Sequence, residues 1–218
     1  MMSAMSLAVV CIAQATSPFD TIANKPSLYK IKKDIAVSEI SETAMSVIKN
    51  DETREGDSVV SKSDDVRKRL LYDYLSVSLP LKSIHISSPF GKRTDPINGK
   101  KAKHNGLDLR AKFEETYAMM PGQVIMVGQD KRSGIFVTLN YGDYTVSYCH
   151  LSQPMVKKGE WVSPGDVVAI TGNTGRSTGP HLHLTTKFKG KAIDPTFLLN
   201  FVRETQSRAY EQLKQLES

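Results

Sequence analysis

Read from its N-terminus, this chain changes its rhythm of apolar and polar positions near residue 80. The first segment, MMSAMSLAVVCIAQA, is uncharged, carries an apolar stretch from Leu7 to Ala13 and closes on Ala13-Gln14-Ala15. Small residues at that spacing suit a signal peptidase, so residues 1–15 are predicted to be an export signal cut after Ala15. Ile35, Ile40, Met45 and Ile48 then fall loosely at helical spacing, and residues 51–65, rich in charge and Ser, read as a solvated linker. Ser63-Asp64-Asp65 offers N-cap chemistry for a helix that carries Val66, Leu70, Leu71 and Tyr74 on one stripe and ends before Pro80.

From Leu81 onward the pattern is one of short β-branched or aromatic runs punctuated by Gly, Pro, Asn and Asp. Strands are predicted over 84–88, 123–127, 135–139, 144–150, 166–171 and 181–188. Asn140-Tyr141-Gly142-Asp143 is a turn signal that joins two of them as a hairpin. Strands at this density, with no helical pattern between them, predict a mainly β fold: a compact antiparallel domain over 79–200. A small helical and linker region at 16–78 precedes it, and a helix with Phe201, Tyr210 and Leu213 closes the chain over 201–218.

Composition narrows the function classes. With 39% apolar residues among 218, the chain can bury a core, and no run approaches the ~18 apolar residues of a membrane-spanning helix. The net charge of +6 is uneven. Residues 1–75 hold 10 basic and 11 acidic side chains, and the rest of the chain holds 19 and 12, a surplus of +7 in the β region. That surplus fits an anionic partner: nucleic acid, a membrane surface or the bacterial cell wall. Nucleic acid is disfavoured, because the basic residues are scattered and not interleaved with stacking aromatics. Cys11 and Cys149 could form one disulfide at most, so no disulfide framework is predicted.

All five histidines lie in the β region. His181 and His183 flank Leu182 in a predicted strand, so both imidazoles project to one side. His104 and Asp108 are four apart in HNGLD, an even spacing that puts them on one face of an extended segment, and Gly106 between them argues against a helix. Two nitrogen donors and one carboxylate make a three-ligand set for zinc with an open fourth position, the coordination of a catalytic site and not of a closed structural one.

The stretches SSPFGKRTDPINGKKAKHNGLDLRA, YCHLS and GNTGRSTGPHLHL closely resemble the lysostaphin/LytM-type zinc metalloendopeptidases. The hallmarks occur in order: H-x-x-x-D, then Y-x-H-L, then H-x-H after an S-T-G-P turn. The resemblance covers about Leu81 to Leu199 and not the N-terminal region. It implies a narrow groove over an antiparallel sheet. It also implies one Zn²⁺ per chain held by His104, Asp108 and His183, with His150 and His181 as the catalytic pair, His181 as base and His150 orienting water and stabilising the oxyanion. The implied substrate is peptidoglycan, cut at cross-links or stem peptides by an exported monomer of the periplasm, cell envelope or extracellular space. Arg93 is implied to lie near the groove, facing substrate or in a surface salt bridge. The chain departs from the family at Glu114-Glu115-Thr116-Tyr117-Ala118, where relatives usually have G-T-P-V, and at Thr185, where relatives commonly have Glu.

Three rival readings follow from the residues. Cys149 beside His150 suggests a cysteine protease, but consecutive strand side chains face opposite ways, which argues against a dyad. VKKGEWVSPGDVVAITG has the hairpin rhythm of lipoyl and biotinyl carriers but lacks the hairpin that takes the cofactor. The third is a non-catalytic wall-binding or amidase-activating module, a role among relatives that have lost ligands, whereas the full ligand set is present here.

Overall fold

A computed structural model describes residues 62–216, so the predicted export signal and the loosely helical segment after it lie outside the described residues. In chain order the elements are α1 (Lys62–Leu75), β1 (Ile86–Ser88), β2 (Gly91–Thr94), β3 (Lys101–His104), β4 (Leu107–Arg110), β5 (Glu115–Tyr117) and β6 (Gly122–Asp130). They continue with β7 (Gly134–Tyr141), β8 (Tyr144–Leu151), β9 (Gln153–Pro154), β10 (Trp161–Val162), β11 (Val167–Ile170), β12 (His181–Phe188), β13 (Lys191–Ile193) and α2 (Thr196–Leu216). The large sheet has eight strands in the order β1-β4-β12-β8-β7-β6-β10, with β13 also paired to β12. β5-β11-β9 form a three-stranded sheet and β2-β3 a two-stranded hairpin, and every pairing is antiparallel.

The period of two along the central strands separates core from groove. On β12, Leu182 and Leu184 are fully buried, while His181, His183 and Thr185 are half-buried and line a groove on the opposite face. On β7 and β8 the same alternation sends Val137, Leu139, Val146 and Tyr148 into the core and leaves Thr138, Thr145 and Ser147 to the groove. The core closes against β11 through Val168 and Ala169, and against α2 through Leu198, Leu199 and Val202. Two buried tyrosines lock the small sheet to the large one. Tyr148 Oη donates to Tyr117 O (3.1 Å), Tyr141 Oη lies 3.2 Å from Tyr148 Oη, and Met119 N–H donates to Tyr141 Oη (3.0 Å).

The β7–β8 hairpin turns at Gly142, whose φ of 67° is the left-handed conformation that the Asn-Tyr-Gly-Asp signal implies. Strand β12 runs over the predicted 181–188. The polar hairpin β2-β3 was not predicted, because GKRT and KAKH carry no apolar alternation. In α1 the buried stripe reduces to Leu70 and Leu71, which meet Leu213 of α2, while Val66 is exposed. The terminal helix begins at Thr196, five residues before the predicted start. Its apolar face uses Leu198, Leu199, Val202, Ala209 and Leu213, and Tyr210 points outward. Among the described residues, no helix is long and apolar enough to cross a membrane.

Candidate metal centre and peptidase groove

His104 ends β3, Asp108 lies in β4 and His183 lies in β12, and antiparallel pairing sets His183 directly opposite Asp108. Their donor atoms converge. His183 Nδ1 is 2.6 Å from Asp108 Oδ1, and His104 Nε2 is 3.2 Å from both His183 Nδ1 and Asp108 Oδ1. Ligands ~2.0–2.1 Å from a tetrahedral zinc stand about 3.3 Å apart, so two edges of the triangle already match and the His183–Asp108 edge must open by about 0.7 Å to admit the ion. The sequence places His104 and Asp108 on one face of a single extended segment, but the chain takes another route. It leaves the hairpin sheet after His104, turns through Asn105-Gly106 and enters the large sheet at Leu107. Gly106 is required there by packing. A Cβ on it would stand 2.4 Å from Leu184 O, 2.6 Å from His183 Cε1 and 2.7 Å from His183 Nε2.

The groups around the donors hold them in ligating form. His104 Nδ1 sits 2.7 Å from Pro89 O, and because a carbonyl only accepts, the ring proton is on Nδ1 and the Nε2 lone pair faces the centre. Asp108 Oδ2 accepts from Arg93 Nη1 at 2.9 Å, which leaves Oδ1 to the imidazoles. Burial works against the charge of Asp108. The imidazoles of His104, His181 and His183 around it outweigh burial and hold the carboxyl far below the usual carboxylate range. Burial pushes His183 down, favouring the neutral ring that a metal needs. Arg93 is therefore the carboxylate's orienting partner, a role its sequence context left open.

The other two histidines stand beside this centre. His181 Nδ1 donates to Gly179 O (2.8 Å) and lies 3.3 Å from Ser177 Oγ, while Nε2 is 3.5 Å from Asp108 Oδ1. Burial opposes protonation of His181, but the Asp108 carboxylate and the Gly179 carbonyl prevail and raise its pKa. His150 Nδ1 donates to Thr174 O (2.8 Å), and burial pushes this ring down to about 4, so it is neutral at physiological pH. The ring centroids of His150 and His181 are 4.8 Å apart, and those of His150 and His183 are 5.5 Å apart.

His150 reaches the groove through a break in the strand. Its φ of 61° is left-handed, uncommon for a residue other than Gly, and the β7–β8 register slips there. Strict alternation is lost, so Cys149 and His150 both line the groove, contrary to the strand argument against a dyad. The cysteine reading fails for a different reason: burial pushes the Cys149 thiol up to about 12, so it is not a thiolate nucleophile.

Two donor sets could each hold a cation: His104-Asp108-His183 and His150-His181-His183. The first has the carboxylate, the shorter separations and two ligands that are almost wholly buried. The second has no carboxylate, and its three donor atoms, though within 4.8 Å of one another, make no hydrogen bond to each other. The donor chemistry therefore fits zinc at the first set.

The groove encloses about 610 Å³ and runs from this centre over the outer face of the large sheet. One flank is the β2-β3 hairpin and another the loop before β12, and they are joined where Arg176 Nη2 grips both oxygens of Asp95 (2.7 and 2.9 Å). Thr185 lies on the groove floor. An antiparallel sheet whose groove gathers two imidazoles and a carboxylate presents a candidate metal centre of the open, catalytic kind. The model of Peptidase family M23 matches residues 102–195, the stretch that runs from β3 through β13 and holds all the donor groups above.

Two relatives and one solved structure illustrate the match. Peptidoglycan DD-endopeptidase ShyA of Vibrio cholerae is 38% identical over 112 residues, 50% of this chain and 26% of its own length. An uncharacterized metalloprotease of Haemophilus influenzae is 38% identical over 118 residues, 52% of this chain and 25% of its own. The crystal structure of a zinc-containing peptidase from Vibrio cholerae superposes with a TM-score of 0.51 at 33% identity, covering 55% of this chain and 39% of that one. This chain thus spans about a quarter of the length of the curated relatives it matches.

Proposed function

We propose that this protein is a zinc-dependent endopeptidase that hydrolyses peptide bonds in bacterial peptidoglycan, with one Zn²⁺ held by His104, Asp108 and His183. The observation that carries the reading is the convergence of His104 Nε2, Asp108 Oδ1 and His183 Nδ1 beside two further imidazoles in an open groove. The match to the family model and the described activity of the similar Vibrio cholerae endopeptidase support the substrate class. An envelope location follows from where that polymer lies.

Zinc bound by these residues would supply Lewis acidity toward a substrate carbonyl and lower the pKa of a water toward ~7. The remaining work falls to the chain. His181 carries its proton on Nδ1, fixed by Gly179 O, so Nε2 is free to accept a proton from the attacking water and deliver it to the leaving amine. His150, held neutral with Nδ1–H on Thr174 O, orients that water by accepting from it at Nε2. Arg93 keeps Asp108 in its ligating pose. The core behind β12 and β8 keeps these groups in place as substrate enters.

The test is mass spectrometry of muropeptides digested by the full chain, with zinc added and with chelator. Zinc-dependent cleavage is expected. His183→Ala should lose metal, and His181→Ala should keep metal and lose turnover. Bound but uncut muropeptides with zinc present would leave the chain a wall-binding module.

A further inference from the structure

We infer that Arg132 forms a carboxylate-reading subsite in the groove, binding a free carboxylate of the peptide whose bond is cut. The inference rests on the peptidase reading above and deepens it from peptides in general to peptides that carry an anion near the scissile bond.

Charge balance in the groove carries the argument first. Its lining includes Arg93, Lys103, Arg132, Arg176 and Lys187 but only Asp95 and Asp108 as acids. Both acids are already matched by arginines, Asp95 by Arg176 and Asp108 by Arg93. The surplus therefore sits on Lys103, Arg132 and Lys187, none of which has an ion pair among the described residues. Asp130, near Arg132 in the β6–β7 turn, spends Oδ1 on the backbone N–H groups of Arg132 (2.7 Å) and Ser133 (2.6 Å); its charge acts on the guanidinium only from beyond ion-pair distance. A groove with this balance favours an anionic occupant.

Position then selects Arg132 from the three. The ammonium of Lys103 lies over the Phe90 ring at 5.6 Å, so it already has a partner. Lys187 is four residues along β12 from His183, which puts it about 13 Å down the strand from the metal centre. Arg132 belongs to a turn bonded directly to His150 and linked to His181 through the loop before β12. The next carbonyl, Ser133 O, accepts from His150 N–H (2.8 Å), and Arg132 O accepts from Arg176 N–H (3.0 Å). Ser177, one residue on, has its Oγ 3.3 Å from His181 Nδ1. Gly175, at φ 72°, passes so close to Gly134 N that a Cβ would stand 2.2 Å from it, which pins the loop to the turn. A turn pinned to the loop before β12 thus carries an exposed arginine that lines the groove and has no ion pair within 4 Å among the described residues, and its planar fork matches a carboxylate with two parallel N–H donors.

The test uses two synthetic cross-linked peptides of peptidoglycan type with the same scissile bond, one with free carboxylates and one with those groups as carboxamides, cut by the zinc-loaded full chain. Wild type should prefer the acid peptide on the order of tenfold in kcat/KM. Arg132→Gln should bring the ratio near one, mostly through KM, with zinc content and melting temperature retained; Arg132→Lys should fall between; Lys187→Gln should keep the wild-type ratio. An unchanged ratio in Arg132→Gln, or loss of the ratio in Lys187→Gln instead, overturns the subsite. Equal cleavage of both peptides by wild type overturns the subsite alone, whereas cleavage of neither overturns the peptidase reading and the subsite with it.

Discussion

Replacing Gly106 by Ala adds one methyl group at the point where the turn between two ligands crosses the ring of the third. The added carbon would meet Leu184 O at 2.4 Å and the His183 ring at 2.6–2.7 Å. Ordinary contact begins near 3.4 Å, so about 1 Å of separation must be found. Leu184 O cannot supply it cheaply, because Leu184 and its β4 partner Leu107 are both fully buried in the core. The imidazole is left to move, and a shift of that size is several times the ~0.2 Å tolerance of a metal–ligand distance. Gly106→Ala should therefore lower zinc affinity by at least ~100-fold and cost ~1–3 kcal/mol of stability in the metal-free protein. Competition against a chromogenic chelator measures the first and urea unfolding the second. Gly179→Ala is the control, since its Cβ would meet nothing within 4 Å. Wild-type zinc affinity in Gly106→Ala would refute the claim that this glycine exists to seat His183.

Three further outcomes follow from the same geometry. Arg93→Ala, which frees Asp108 Oδ2, should weaken zinc binding by ~10–100-fold, and Arg93→Lys should recover only part of it because the fork is lost; isothermal titration with zinc reads both. Tyr148→Phe removes a buried hydroxyl from between Tyr117 O and Tyr141 Oη and should cost ~1–3 kcal/mol in urea unfolding without changing zinc stoichiometry. His150 titrates at about 4 in the folded chain against 6.5 as its ordinary value, so between these pH values the unfolded chain binds more protons at this residue. Stability of the metal-free protein should therefore rise with pH from about 4 to 6.5 and lose that part of its slope in His150→Gln, as denaturant midpoints across pH will show.

The sequence carried the candidate site better than it carried the routes to it. His181-x-His183 was legible because a strand's period of two is strict and β12 is regular over its whole length. His150 was legible from the resemblance of YCHLS and not from alternation, because a left-handed residue at a register slip overrides the period of two and nothing in YCHLS marks the slip. Arg93 stood within sight in FGKR, but its pairing with Asp108 depends on a hairpin with no apolar signature. The central strands announced themselves by β-branched and aromatic residues, whereas short strands such as β9 and β10 are stabilised by their neighbours and have too few residues to form a pattern. The terminal helix was foreseen, but its start came earlier because Leu198 and Leu199 pack into the β core and not into a separate helical layer.

The central claim is that one cation sits among His104, Asp108 and His183. Crystals of the zinc-loaded protein, measured across the zinc absorption edge, test it most directly. The account predicts a single anomalous peak ~2.0–2.2 Å from His104 Nε2, Asp108 Oδ1 and His183 Nδ1. A peak held instead by His150, His181 and His183, or none at saturating zinc, would contradict it.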